Sequence, residues 1–215
     1  MAVNGQAHLQ RTFELASELT ARAATALPKL AVFTPRNVAG RDPTRITFAT
    51  HPYAITGYEL GQALARRGIV CEKAGSGAIT FLMAMGLPDD APRRIVEGMR
   101  EVLVEGLRSA RVPDRPQNPF LGMCAAPACT PGLARSLARK LGRRVALEHS
   151  AGWIATEMLE VYPPGIPVIV PGFPIARGAV EVIRDALRFH GDVQGAGLKD
   201  GEITVISPRE LTTRD

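Results

Sequence analysis

The segment Tyr162-Pro163-Pro164-Gly165-Ile166-Pro167-Val168-Ile169-Val170-Pro171-Gly172 constrains the fold more than any other part of the chain. Its prolines fix φ and withhold backbone donors, so no helix can pass through it. Its glycines supply the turns. The composition predicts a helix stopped at Pro163, a rigid extended passage, and one short buried strand, Val168-Ile169-Val170. That is an architectural role, which speaks to fold before it speaks to chemistry.

The remaining bounds are broad. The chain has 215 residues, of which 46% are hydrophobic, enough for one large domain or two small ones. There is no apolar run of bilayer length, and the N-terminal MAVNGQAHLQRTFEL has no apolar core of the signal-peptide kind. Cys71, Cys124 and Cys129 are odd in number and fit a reducing compartment, so a cytoplasmic location is expected. The net charge of +5 rests on arginine, because Lys29, Lys73, Lys140 and Lys199 are the only lysines among 26 basic residues. Arginine suits carboxylate or phosphate recognition and protein interfaces. Without aromatic interleaving, the basic excess is weak support for nucleic-acid binding.

Periodicity predicts an α+β fold: a small mixed or antiparallel sheet covered by helices, followed by a mainly helical C-terminal extension with a short strand. Residues 6–27 read as an amphipathic helix through Leu9, Phe13, Leu15, Ala16, Leu19 and Ala23, ended by Pro28. Short strands are expected at 29–34, 45–50, 69–72 and 78–85. Thr56 with Glu59 forms a capping box for a helix to about Arg67. Asp89 or Asp90 caps the next helix, whose apolar stripe is Ile95, Val96, Met99, Val102, Leu103 and Leu107. The proline-rich 111–119 stretch suggests a linker, dividing the chain into 1–112 and 113–215. In the second part, helices are expected at 130–141, 145–160 and 175–189, and a last strand at 202–206.

Few residues suggest chemistry. Cys124 and Cys129 lack a second ligand pair, so no metal site is expected. His51 stands before Pro52 in a strand-to-helix loop and is the most site-like of the four histidines. Glu72-Lys73 precedes the turn Gly75-Ser76-Gly77, where a carboxylate could face a ligand amino group or form an exposed ion pair. The Gly-Ser-Gly turn runs into a strand and is a poor phosphate loop. Arg135, Arg139, Lys140, Arg143 and Arg144 cluster at one helix end, as a solvated face or a partner surface.

Several motifs together resemble the ornithine/lysine/arginine decarboxylases, pyridoxal-phosphate (PLP) enzymes of the aspartate aminotransferase fold. They are Ala146-Leu147-Glu148, Gly152, Ala155, Glu157-Met158 and the Tyr162–Gly172 string. Upstream, Asp42-Pro43-Thr44-Arg45-Ile46-Thr47, Thr56-Gly57-Tyr58-Glu59-Leu60, Gly68-Ile69-Val70, Glu72-Lys73 and Phe81-Leu82 through Gly86 are similar too. The resemblance implies a small domain of the PLP fold followed by the family's C-terminal extension. It also implies a Schiff-base lysine that follows a histidine. Here the histidines precede Leu9, Pro52, Ser150 and Gly191, so no such pair exists. Two matched positions depart from the family pattern: Trp153 stands where it has arginine, and Phe173 where it has glutamate.

The resemblance therefore implies a subunit of a split enzyme acting on an amino acid. It would have no catalytic residue of its own, and a partner chain would bring PLP and the lysine. Glu72, His51 and Lys73 are its candidate substrate contacts, and a second copy is an alternative partner. The competing expectation is a non-catalytic binding or regulatory protein for an amino acid or polyamine. New chemistry through a cysteine, or an excised fragment, are further readings.

Overall fold

The computed structural model describes residues 5–32, 42–104, 126–162, 164–189, 191–195, 198 and 200–212. They fall into two compact units, Met1–Pro116 and Gln117–Asp215. Both are α+β, with small antiparallel sheets covered by helices.

In the first unit, α1 (Gly5–Ala26) buries Thr12, Leu15, Ala16, Leu19 and Ala23. Leu9, expected inside, is 45% exposed. The strand expected at 29–34 does not form over 29–31, where Leu30 is buried, and Val32 makes a single bridge to Phe48; residues 33–34 and Leu107 lie outside the described residues. Strands β1 (Arg45–Ala49), β2 (Lys73–Ala74) and β3 (Ala78–Leu82) form a sheet ordered β1-β3-β2. Ile46, Phe48, Ile79 and Phe81 alternate inward, and the rings of Phe48 and Phe81 meet edge to face at 6.2 Å. Helix α2 (Gly57–Ala65) lies against β2 and β3, and α3 (Ala91–Val104) packs against α1 and α2. Its stripe of Ile95, Val96, Met99, Val102 and Leu103 is buried as the spacing predicts.

The strand expected at 69–72 is not one. Ile69 still donates its N–H to the Leu64 carbonyl, finishing α2, and Val70 is 78% exposed. The chain reaches the sheet only when the Glu72 N–H meets the Thr80 carbonyl. The strand expected at 78–85 also stops early, at Leu82.

In the second unit, Thr130 caps α4 (Pro131–Leu141) by accepting the Leu133 N–H. Strands β4 (Arg143–Ala146), β5 (Ile154–Ala155) and β9 (Glu202–Ile206) form one sheet, ordered β4-β9-β5. Strands β6 (Leu159–Tyr162), β7 (Ile166–Ile169) and β8 (Asp192–Gln194) form another, ordered β7-β6-β8. Leu137, Ile154 and Ile206 make a core with Cys129, Leu141 and Leu211. Helix α5 (Arg177–Arg188) turns Ala179, Val180, Ile183 and Ala186 onto the second sheet, and α6 (Pro208–Thr212) follows β9.

The helix expected at 145–160 is replaced by strand β4, a single 3₁₀ turn at Leu147–His149, and strands β5 and β6. The spacing of Leu147, Ile154 and Leu159 fits a helix, and all three are buried. Met158, expected inside, is 38% exposed. The physical reason is long-range pairing: β4 and β5 share β9, and the Thr156 hydroxyl donates to the Thr204 carbonyl. The second unit accordingly holds more strand than the sequence suggested.

Candidate functional site

The expected site residues come from two places on the first sheet. Thr50 follows β1, donates its N–H to the Gly77 carbonyl at 2.9 Å, and leads into a 3₁₀ turn, His51–Tyr53. Ala54 ends that turn at φ 53°, a left-handed conformation rare for a residue with a Cβ, and donates back to the His51 carbonyl. Next comes the capping box: the Thr56 hydroxyl donates to Glu59 Oε2 at 2.6 Å and accepts the Glu59 N–H at 3.2 Å. Gly57 lies so close to the Gly75–Ala78 hairpin that a Cβ would stand 2.0 Å from the Ala78 carbonyl oxygen.

Within this loop two buried polar atoms have no hydrogen-bond partner, Thr50 Oγ1 and His51 Nδ1. Thr50 is 0% exposed, whereas the His51 ring is half-buried. Buried polar atoms are nearly always paired, because each one left unpaired costs roughly 1–3 kcal/mol. Thr50 was not foreseen from sequence. A threonine at a strand end carries no local signal of an unmet hydroxyl.

Glu72 and Lys73 do not join His51. The Glu72 backbone is level with Thr80, which pairs with Thr47. Thr47 lies two residues before the end of β1, and β2 is two strands across the sheet from β1. Glu72 accepts from Arg45 Nη1 at 2.7 Å and is thereby occupied. Lys73 is exposed on the edge strand β2.

In the second unit the proline string has a defined task. Gly165 closes the turn between β6 and β7 by donating to the Val161 carbonyl, and Pro167 sits on the edge strand β7, where a missing N–H costs no ladder bond. Pro163 lies outside the described residues. Pro171 and Gly172 are buried. The Gly172 N–H bonds the Ala155 carbonyl, and its own carbonyl accepts from Ala128 at 2.8 Å and Cys129 at 3.3 Å. Gly172 has φ 85°, and a Cβ there would meet the Cys129 carbonyl oxygen at 2.3 Å. Trp153 and Phe173 are half-buried on facing segments: the Trp153 carbonyl accepts from Ile175, and the Phe173 carbonyl from Ala155. In the same unit, Glu157 Oε2 is a third buried polar atom without a partner.

Burial raises the Cys71 thiol above its usual range, with a small opposing backbone hydrogen bond, and burial likewise raises Cys129. Neither is set up as a thiolate nucleophile. Cys124 lies outside the described residues. Among the described residues no group of three or more His, Cys, Asp or Glu is placed to hold a metal, and no helix is long and apolar enough to cross a membrane. Arg135, Arg139 and Lys140 are exposed on α4, while Arg143 and Arg144 pair with Glu210 and Glu202. A groove between α1 and α3 in the first unit is lined in part by Arg22, Val96, Glu97 and Arg100.

The described residues do not fit a covalent PLP site. Lys29, Lys73 and Lys140 are all exposed, in surroundings that give no desolvation to make an amine nucleophilic.

Residues 118–202 match the family model of the Orn/Lys/Arg decarboxylase C-terminal domain. No curated protein sequence matches the chain. Among solved structures it is similar to the constitutive lysine decarboxylase of E. coli, at TM-score 0.61 and 18% identity over 94% of this chain and 41% of that one. It is similar to the lysine decarboxylase LdcF of Francisella novicida, at TM-score 0.62 and 18% identity over 94% and 40%. Lysine decarboxylase A of Pseudomonas aeruginosa gives TM-score 0.61 and 20% identity over the same shares, 94% and 40%. The chain thus spans about two fifths of the length of the decarboxylases it matches.

Proposed function

We propose, on the premise that this chain is of the C-terminal and small-domain type of the Orn/Lys/Arg decarboxylases, that it completes the active site of a PLP-dependent enzyme acting on an amino acid. The PLP and its Schiff-base lysine come from a large domain outside these 215 residues, carried by a partner chain. The observation that carries this reading is the alignment of 94% of the chain with decarboxylase structures, combined with a sequence in which no histidine precedes a lysine. This chain contributes position and shape: a small sheet with His51 at one end of β1, and a C-terminal unit organised around the proline string.

The test is co-expression with a PLP large domain of the same family. The two should co-purify, bind PLP together, and decarboxylate an amino acid that neither part turns over alone. Failure to associate, with no gain of activity, rejects the proposal.

Trp153 and Phe173 favour a second reading. Aromatics at positions where the family pattern has an arginine and a glutamate fit a protein that binds an amino acid or polyamine without reacting it. Thermal-shift screening of the chain alone against amino acids and polyamines distinguishes the two, because only this second reading predicts a response without a partner.

A further inference from the structure

We propose that the loop from Thr50 to Ala54 is a binding site for a carboxylate, held by the Thr50 hydroxyl and the His51 imidazole. The contact belongs to this chain alone and stands whether or not a cofactor-bearing partner exists.

Three costs coincide in five residues. Thr50 is fully buried with Oγ1 unpaired, and the next residue, His51, holds a buried Nδ1 that is also unpaired. Ala54 closes the turn in the left-handed region. An unpaired buried hydroxyl is a penalty that folding alone gives no reason to keep, since valine fills the same volume without it. A ligand that reaches the loop and bonds both atoms removes those costs. The half-buried ring of His51 gives the way in.

The class of ligand follows from the donors. A threonine hydroxyl can donate, and so can an imidazole whose Nδ1 carries a proton. Both therefore suit an anionic oxygen. Glu59 is the sole acidic residue between positions 50 and 59, and its Oε2 already accepts from the Thr56 hydroxyl and backbone. An ammonium group would find no carboxylate waiting in the loop. The net charge of +5 favours an anion in addition.

The experiment is an amide NMR titration of the full chain with sodium acetate, using methylammonium chloride at equal ionic strength as control. Acetate should produce saturating shifts confined to residues 50–54 and 75–77, and methylammonium none. Thr50→Val should abolish the acetate response while raising the melting temperature by a few degrees. Thr50→Ser, which keeps the hydroxyl, should retain the response, and His51→Gln should weaken it at least tenfold. Equal shifts with methylammonium, or an acetate response that survives in Thr50→Val, overturn the proposal. A Thr50→Val chain that melts lower or fails to fold overturns it too, because the hydroxyl would then be holding a structural water.

Discussion

At the scale of single residues, two glycines, Gly57 and Gly172, carry more of the fold than their size suggests. At Gly172 a side chain would meet both a positive φ and the Cys129 carbonyl. Gly172→Ala is expected to cost about 2–4 kcal/mol, read as a lower denaturant midpoint. By contrast, Glu72→Gln should change stability by less than ~1 kcal/mol, since its partner Arg45 is half-exposed. The thiols give a chemical test. In a Cys124→Ser background, Cys129 should react with a thiol reagent before Cys71, and both slowly at neutral pH, because burial holds both thiols protonated. Fast labelling of Cys71 in the native chain would contradict its burial.

Secondary-structure elements show what local sequence can and cannot announce. The Thr56–Glu59 box is self-contained, and both of its reciprocal hydrogen bonds form. Thr56→Ala should cost about 1 kcal/mol, measured by urea unfolding. The β9 strand, the start of α4 and the α3 stripe were equally legible, because each is written within a few neighbouring residues. Residues 143–162 were not. β4 and β5 find their partner only in the distant β9, β6 pairs with both β7 and β8, and the apolar residues at 146, 147, 154, 158 and 159 suggested a helix instead. β2 was misplaced for a related reason: Ile69 and Val70 have strand-forming side chains, but the end of α2 still holds the Ile69 backbone. Among the site residues, His51 could be singled out by its loop, but its distance from Glu72 and the state of Thr50 depend on sheet register, which composition does not encode.

For the molecule as a whole, each unit has its own core: Phe48, Phe81, Leu60 and Met99 in the first, Leu137, Ile154 and Ile206 in the second. We expect residues 1–112 and 113–215, expressed separately, each to unfold in one cooperative urea transition followed by circular dichroism. A fragment lacking such a transition would argue for a single folding unit. The proposed role in a decarboxylase-like enzyme belongs to this scale as well, since it rests on the extent of the fold and not on any one side chain. The bonding around Phe173 bears on the same question. Position 173 serves the sheet through its backbone alone, its carbonyl taken by Ala155 and its N–H by Val170, and Trp153 likewise holds Ile175 through its carbonyl. These backbone bonds are open to any side chain at the two positions, both of which are half-buried and so reach solvent. A Trp153→Arg, Phe173→Glu double variant should keep the parent circular-dichroism spectrum, so that the arginine and glutamate of the decarboxylase pattern can be tried on this scaffold.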